Sequence, residues 1–218
     1  MMERRRDFIR DVFDRLIHSF GPQHWWPAQT PFEVIIGAIL TQNTAWKNVT
    51  QSIGILREGG LLELEALDAT PVEELAPLIR ASGYYNQKAR KLKSFCDHLR
   101  EHWRGDLEAF LSQDMESLRS ELLLLYGIGP ETADSIVLYA AHKPSFVVDT
   151  YTYRVLNRHG QVPDSVAYEE MRDWFMDVLE PNVAFFQELH ALLVRVGHLY
   201  CKRKPLCTSC PLNELLEE

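Results

Sequence analysis

Features that mark several protein classes are missing from this 218-residue sequence. No stretch approaches the roughly 20 consecutive apolar residues that a membrane-spanning helix needs. The N-terminus carries basic residues, but it has no uninterrupted apolar core of signal-peptide length. Internal repeats and low-complexity linkers are also absent. These absences favour a globular protein of the cytoplasm with no membrane partner.

Cysteine is scarce and unevenly placed. Of the four cysteines, three lie within ten residues near the C-terminus, namely Cys201, Cys207 and Cys210. Such clustering favours a metal or cluster site in a reducing compartment over a secreted disulfide framework. The fourth, Cys96, recurs with apolar neighbours at helical spacing and is predicted to lie in a core.

A net positive charge is lacking as well, because the formal net charge is -8. This value argues against a protein that holds nucleic acid by bulk charge attraction. Nucleic-acid binding stays open, since affinity depends on local positive charge and oriented amides. Two basic clusters, residues 88–93 and 202–204, could serve that role or could be solvated surface.

Strand patterns are almost absent, which leaves helices as the dominant element. The only β-like segment, residues 145–153, is too isolated to build a sheet. Thr30 and Thr70 are each followed by proline and, three residues on, by glutamate, a pattern typical of helix starts. The second of these helices should end near Gly83. We therefore predict an all-α fold.

The stretch of residues 122–154 carries the most distinctive pattern. Gly127 and Gly129 follow an apolar run, and Pro130 stands ahead of a helical segment. Glycine accepts positive φ and proline suits the first helical position, so the pattern predicts helix, hairpin, helix. The free backbone N–H groups that open the second helix are a ready site for an anion such as a nucleic-acid phosphate.

One carboxylate, Asp149, follows an apolar pair beyond this hairpin. A helix ending near Ala141 would rise about 16 Å. The return segment of residues 142–149 could span up to about 27 Å, so Asp149 can come back beside the hairpin. Asp149 could equally be the N-cap of a helix that begins near Thr150. Both roles are compatible, because a helix N-terminus favours a negative charge.

Several stretches together resemble the helix-hairpin-helix DNA glycosylases of the endonuclease III superfamily: LYGIGPETAD, VVDTYTYRVLNR, GAILTQNTAW, SGYYNQKARKL and CKRKPLCTSC. The resemblance implies a two-lobed, all-helical fold with a DNA cleft between the lobes. One six-helix lobe would span residues 31–132 and end in the hairpin, and the other would combine residues 1–30 and 133–218. It also implies a monomeric, nucleoid-associated base excision repair enzyme whose partner is double-stranded DNA with a damaged base.

The resemblance implies roles for individual residues. Asp149 corresponds to the catalytic aspartate, and a fixed carboxylate can stabilise the oxocarbenium-like state formed when a base leaves its sugar. The residues that correspond to the DNA-binding hairpin are Gly127, Ile128, Gly129 and Thr132.

Glu131 departs from part of the family. Bifunctional members carry lysine at this position, in a Gly-x-Gly-x-Lys pattern, and form a Schiff base with the sugar before they cleave the strand. A carboxylate cannot form that Schiff base. We therefore expect a monofunctional glycosylase without AP lyase activity.

Aromatic residues suggest the base. The run Trp25-Trp26-Pro27, followed by Trp46, resembles a bacterial 3-methyladenine DNA glycosylase branch of the superfamily. Alkylated purines are electron-poor and stack well on electron-rich rings, so Trp25 and Trp46 are expected to line a base pocket. Core packing is the alternative, and it suits Trp26 better. Gln42 resembles the residue inserted into the gap left by the flipped nucleotide, or is simply a polar residue at a helix C-terminus.

The C-terminal cysteine loop resembles the family's iron-sulfur loop, which uses four cysteine ligands. Here the ligands would be Cys201, Cys207 and Cys210, with Leu216 at the fourth position. Three states stay open: an iron-sulfur (4Fe-4S) cluster with a substitute ligand, zinc held with His198, and metal-free thiols.

These observations predict a monofunctional DNA glycosylase that hydrolyses the N-glycosidic bond of a damaged base, with an alkylated purine as the favoured substrate. An endonuclease III-like glycosylase for oxidised or mismatched bases is the first alternative. A non-catalytic DNA-damage-binding module is the second, and it would not need Asp149.

Overall fold

The computed structural model describes residues 2–216, and the regular elements in this range are helical, without a strand. The prediction of an all-α fold is therefore confirmed. No helix among these residues is long and apolar enough to cross a membrane. The helices are α1 (Met2–Phe20), α2 (Pro31–Leu40), α3 (Trp46–Glu58), α4 (Leu64–Ala69), α5 (Val72–Leu78), α6 (Tyr85–Trp103), α7 (Leu107–Ser112), α8 (Met115–Leu123), α9 (Pro130–Ser135), α10 (Thr150–Arg158), α11 (Tyr168–Met176) and α12 (Val183–Leu199).

The chain divides into two compact units. A central unit comprises residues 28–143, and a terminal unit comprises the described residues before and after it, 2–27 and 144–216. The boundary expected at residue 132 falls inside α9, and the structure divides the chain at residue 143. The reason is that α9 continues without a break into a π-helical turn, Ile136–Ala140, that packs on α2. Residues 1, 217 and 218 of the predicted second lobe lie outside the described range.

Helix α2 lies at the core of the central unit. Every residue from Phe32 to Leu40 is buried, as expected for a helix that is apolar on all sides. Its start is the predicted one, because the Thr30 Oγ1 accepts a hydrogen bond from the Glu33 amide at 3.1 Å. The Glu33 carboxylate accepts from the Gln29 amide and forms an ion pair with Arg57, which compensates its burial.

The second predicted helix start is only partly right. Helix α5 begins near the expected position, but the Thr70 hydroxyl does not cap it. It donates instead to the carbonyl oxygen of Ala66 at 2.8 Å, in the helix before. A serine or threonine hydroxyl can bond backwards in this way when a preceding turn is helical. Helix α5 itself ends at Leu78, and a short 3-10 turn, Arg80–Ser82, carries the helical run to the predicted stop at Gly83, which has a φ of 67°.

A buried ion pair joins the two helices of the hairpin. Arg119 on α8 donates from Nε to Asp134 Oδ1 at 2.8 Å and from Nη2 to Oδ2 at 3.0 Å. The side chains are 10% and 0% exposed. Because the two bonds are parallel, they fix the angle between α8 and α9 as well as their distance.

In the terminal unit, α12 packs against α1 and α10. A Cβ atom at Gly197 would lie 2.5 Å from Tyr151 Cδ1, so glycine is what lets α10 approach α12 this closely. The segment that leads into α10 is held by Phe146, whose ring stacks on Phe175 with centroids 3.9 Å apart. This packing anchors the chain immediately before Asp149.

We predict that Arg119→Met destabilises the protein by about 3–5 kcal/mol, because it leaves the Asp134 carboxylate buried without its bidentate partner. Adding Asp134→Leu should recover much of the loss. Guanidinium denaturation measures both changes. Arg100→Met is the control, since Arg100 is half-exposed and pairs with Asp68 near the surface. If Arg119→Met and Arg100→Met lower the free energy of unfolding equally, the buried ion pair stabilises the protein no more than the surface pair does.

Candidate active site

Asp149 is the N-cap residue of α10. Its Oδ1 accepts a hydrogen bond from the Thr152 amide at 2.7 Å, so the capping geometry predicted as one alternative is present. The side chain is 13% exposed. The preceding residues, Phe146 to Val148, are buried. The cap therefore fixes one carboxylate oxygen at a helix N-terminus and leaves Oδ2 for other contacts.

His190 faces that second oxygen, and the sequence pattern does not reveal it. It lies on α12 with its Nε2 4.0 Å from Asp149 Oδ2, and the residue is buried. Burial lowers the pKa of His190, and the Asp149 carboxylate opposes this shift without cancelling it. The imidazole is therefore neutral at neutral pH. Only the packing of α10 on α12 brings the two residues together.

The hairpin has the predicted form, but its two glycines differ. Gly127 has a φ of 77°, and a Cβ there would lie 2.7 Å from Lys91 Cγ, so glycine is required twice over. Gly129 is extended, with φ at -98°, and a Cβ would meet nothing within 4 Å. Of the two glycines of the hairpin, only Gly127 therefore has the positive φ that favours glycine. At Gly129, the missing side chain leaves open space around the start of α9.

Gln42 is brought onto the hairpin by its side-chain amide. Its Nε2 donates to the Gly127 carbonyl oxygen at 3.0 Å and to Thr132 Oγ1 at 2.9 Å. Its Oε1 accepts from Lys91 Nζ at 2.5 Å, a contact between residues far apart in the sequence. Ile128 is buried beneath the turn. Three of the predicted residues, Gln42, Gly127 and Thr132, therefore form one hydrogen-bonded group, and Lys91 belongs to it.

The basic cluster of residues 88–93 is solvated only in part, because Arg90 is exposed but its three lysines are buried or half-buried. Lys88 is buried, and its Nζ donates to the carbonyl oxygens of Leu40 at 2.8 Å and Ser82 at 2.5 Å. Since Leu40 ends α2, this lysine caps the helix that leads to Gln42. Lys93 forms an ion pair with Asp68 at 3.3 Å. Residues 202–204, in contrast, are exposed.

The remaining predicted residues lie apart along the chain. Glu131 is exposed in the first turn of α9 and supplies a carboxylate, not an amine. Trp46 is the first residue of α3 in the central unit and is half-buried. Trp25 belongs to the terminal unit, also half-buried, with its ring 5.1 Å from that of Trp26. The base pocket remains a prediction.

The three C-terminal cysteines line one cavity of the terminal unit. Burial raises the pKa of Cys210, and the neighbouring thiols of Cys201 and Cys207 raise it further. Arg158 also lines the cavity, where its Nη1 lies 3.1 Å from Cys201 Sγ and donates to the Lys202 carbonyl oxygen at 2.7 Å. The loop is thus organised by a guanidinium group as well as by its own turns.

These residues do not provide a four-thiolate site. Leu216 lines the cavity from the position of the fourth cysteine, and its side chain has no ligand atom. His198 is exposed and is not among the lining residues. Within residues 2–216, no group of three or more histidine, cysteine, aspartate or glutamate side chains is arranged to hold a metal ion. We therefore assign no part of the chemistry to a metal centre.

The fold and the hairpin define a class, the all-helical proteins that carry a helix-hairpin-helix motif. Within this class, the sequence model for the HhH-GPD superfamily of base excision DNA repair proteins matches residues 36–181. The chain belongs to this superfamily.

Relatives extend the match over nearly the whole chain. A candidate DNA repair glycosylase of Methanocaldococcus jannaschii is 40% identical over 216 residues, 98% of each protein. Endonuclease III of Thermotoga maritima is 31% identical over 96% of this chain and 92% of its own length.

Solved structures of DNA glycosylases are also similar to this fold. H. pylori 3-methyladenine DNA glycosylase bound to 1,N6-ethenoadenine superposes with a TM-score of 0.77 at 28% identity, over 89% of this chain and 97% of its own. A non-covalent endonuclease III–DNA complex gives 0.83 at 27% identity, over 98% and 95%. The protein is thus a DNA glycosylase of base excision repair, and DNA is its partner.

We predict that Lys88 makes the stability of the protein rise with pH. Burial lowers the pKa of Lys88 to about 8 from 10.5, with a smaller contribution from the Lys91 charge. The unfolded chain therefore holds this proton more tightly than the folded protein does. The free energy of unfolding should increase between pH 8 and pH 10.5 on this account.

Comparing the wild type with Lys88→Met by denaturation on both sides of pH 8 isolates this effect. Burial raises the pKa of Cys96 to about 12, which lowers stability at high pH, but both proteins carry Cys96 and its contribution cancels. If the difference in unfolding free energy between the two proteins does not change with pH, burial does not destabilise the protonated form of Lys88 and the prediction is wrong.

Proposed function

We propose that this protein is a monofunctional DNA glycosylase that hydrolyses the N-glycosidic bond of an alkylated purine in double-stranded DNA. The observation that carries the proposal is Asp149, a nearly buried carboxylate with Oδ1 fixed by the Thr152 amide at 2.7 Å. A carboxylate held in this way is pre-organised to face positive charge that develops on a sugar.

The reaction breaks the bond between C1′ and the base nitrogen and forms a bond from C1′ to a water oxygen. Positive charge builds on the sugar ring as the base leaves, and Asp149 stabilises it. The attacking water loses a proton, which the same carboxylate can accept. A cationic alkylated purine leaves as a neutral base without protonation. One fixed carboxylate is therefore enough for this class of substrate.

The hairpin supplies the grip on DNA. Gly127, Ile128, Gly129 and Thr132 are proposed to hold the backbone, with main-chain N–H groups that approach a phosphate closely where Gly129 carries no side chain. Gln42 is proposed to enter the gap left by the extruded base. Since its amide bonds to Gly127 and Thr132, insertion requires that these hydrogen bonds be exchanged for contacts with DNA.

The choice of an alkylated purine rests on aromatic residues and on one neighbour. Trp25 and Trp46, each half-buried in its own unit, are proposed to contact the base by stacking. The H. pylori neighbour is a 3-methyladenine DNA glycosylase and was solved with 1,N6-ethenoadenine. Likeness to endonuclease III, at 31% identity over most of the chain, favours a second candidate, a glycosylase for oxidised or mismatched bases.

We expect Asp149→Asn to lower the single-turnover rate of 3-methyladenine release by roughly 100-fold or more, while affinity for the same duplex stays close to that of the wild type. Asparagine keeps the cap but loses the charge. Asp114→Asn is a matched control, because Asp114 caps α8 through the Ser117 amide at 3.1 Å. Full activity of Asp149→Asn would remove the proposed mechanism.

We expect duplexes with 3-methyladenine or 7-methylguanine to lose the base and to break only after alkali treatment. Borohydride should trap no covalent complex with the wild type, since Glu131 offers no amine. Glu131→Lys places an amine at that position and should allow trapping, whereas Glu116→Lys, in the first turn of α8, should not. Wild-type cleavage of thymine glycol duplexes without alkali would favour the second candidate and would point to another amine.

A further inference from the structure

We propose that His190 is a positioning residue for Asp149, donating a neutral imidazole N–H toward the carboxylate oxygen that the helix cap leaves open. This inference rests on the proposed function, in which Asp149 stabilises the charged sugar. His190 itself contacts neither DNA nor base in this scheme. It acts through Asp149.

The geometry supplies the first argument. Asp149 has two oxygens, and each faces a different element of the terminal unit: Oδ1 lies 2.7 Å from the Thr152 amide of α10, and Oδ2 lies 4.0 Å from His190 Nε2 of α12. The cap alone leaves the carboxylate free to rotate about its last bond. A donor on another helix, 4.0 Å away in the free protein, restricts that rotation when the contact shortens.

The placement of α12 is itself fixed. Gly197 admits the Tyr151 ring against the helix backbone, and Arg154 Nη2 donates to the Gly197 carbonyl oxygen at 3.3 Å. These contacts tie the first turns of α10 to α12. The separation of Asp149 and His190 is therefore set by the packing of two helices and not by a flexible loop.

The distance of 4.0 Å is longer than a hydrogen bond. Catalytic hydrogen bonds are often long in the free enzyme and shorten when substrate binds. Substrate binding excludes water from around Asp149, and a hydrogen bond from a neutral N–H donor to the carboxylate is stronger in such a site. We place the shortening of the His190 contact at that step.

The chemistry of the residue supplies the second argument. Its neighbours on α12 are Leu189, Ala191, Leu192 and Leu193, all buried. An apolar residue would fill position 190 without any desolvation cost, so a buried imidazole calls for a reason. A lysine or arginine there would cancel the charge that Asp149 must present. A neutral donor orients the carboxylate and leaves its charge intact.

The test uses two probes, a duplex with a pyrrolidine abasic-site analogue and a duplex with a tetrahydrofuran analogue. The first carries a positive charge where the sugar becomes cationic, and the second is neutral. The ratio of their affinities measures how well the carboxylate is presented, without any turnover. For the wild type this ratio should favour pyrrolidine. Asp149→Asn should abolish the preference.

We expect His190→Leu to lower this ratio by roughly tenfold and to lower the rate of 3-methyladenine release by a similar factor, the usual scale for loss of an orienting partner. Affinity for the tetrahydrofuran duplex should not change. His190→Gln, which keeps an N–H donor at the same distance along the side chain, should restore both. His198→Leu, at an exposed position of the same helix, is the control.

The outcomes are distinct. If His190→Leu keeps the wild-type ratio, or if the leucine and glutamine variants lose equally, the inference is overturned. If Asp149→Asn itself keeps the preference for pyrrolidine, the proposed function fails instead. In the Asp149→Asn background, His190→Leu should have no further effect on the ratio. Should His190→Leu not fold, His190→Met offers a flexible apolar substitute for the same comparison with glutamine.

Discussion

One hydrogen bond, from the Thr152 amide to Asp149 Oδ1 at 2.7 Å, links the local structure of this chain to its chemistry. It ends an irregular segment, starts α10 and fixes a carboxylate, all in a single turn. The buried residues before it anchor the segment, and Gly197 allows α10 to lie close to α12. A helix cap is usually a stabilising detail, but here the same atom pair also holds the group proposed to stabilise the transition state.

The central unit depends on buried cations in a comparable way. Lys88 bonds to the end of α2, and Arg119 binds Asp134 between the hairpin helices. Neither contributes to a positive surface, which accords with the negative net charge of the protein. We propose that a few oriented groups at the hairpin hold the DNA, and of the two basic clusters, residues 202–204 are exposed throughout whereas residues 88–93 are exposed only at Arg90.

The sequence predicts what depends on local rules. The helical class, the Thr30 cap, the turn at Gly127 and the capping position of Asp149 follow from spacing and from residue type, and each is found in the structure. What the sequence could not predict depends on contacts between distant parts of the chain. Gln42 and Lys91 are 49 residues apart, and only the packing of α2 against α6 joins them.

Of the other differences, one is local and two again depend on packing between distant segments. Thr70 fits a capping pattern, but a carbonyl oxygen of the preceding helix competes for its hydroxyl. The sequence of residues 88–93 suggests an exposed basic cluster, because sequence alone does not show which side of α6 packs against the core. The sequence around His190 is like that of any core residue of α12. Its proximity to Asp149 can be recognised only from the packing of the helices.

The amide of Gln42 has a consequence for which residues this position can accept. Its oxygen receives the Lys91 ammonium, while its nitrogen serves two acceptors on the hairpin. Glutamate would satisfy the lysine and repel the carbonyl oxygen of Gly127, whereas lysine would serve the carbonyl oxygen and repel Lys91, and methionine has no donor for the hairpin. Asparagine is one methylene shorter. One donor and two acceptors therefore surround this position, and the glutamine amide can pair with all three. The restriction on residue type at position 42 is already present in the free protein, before DNA binds.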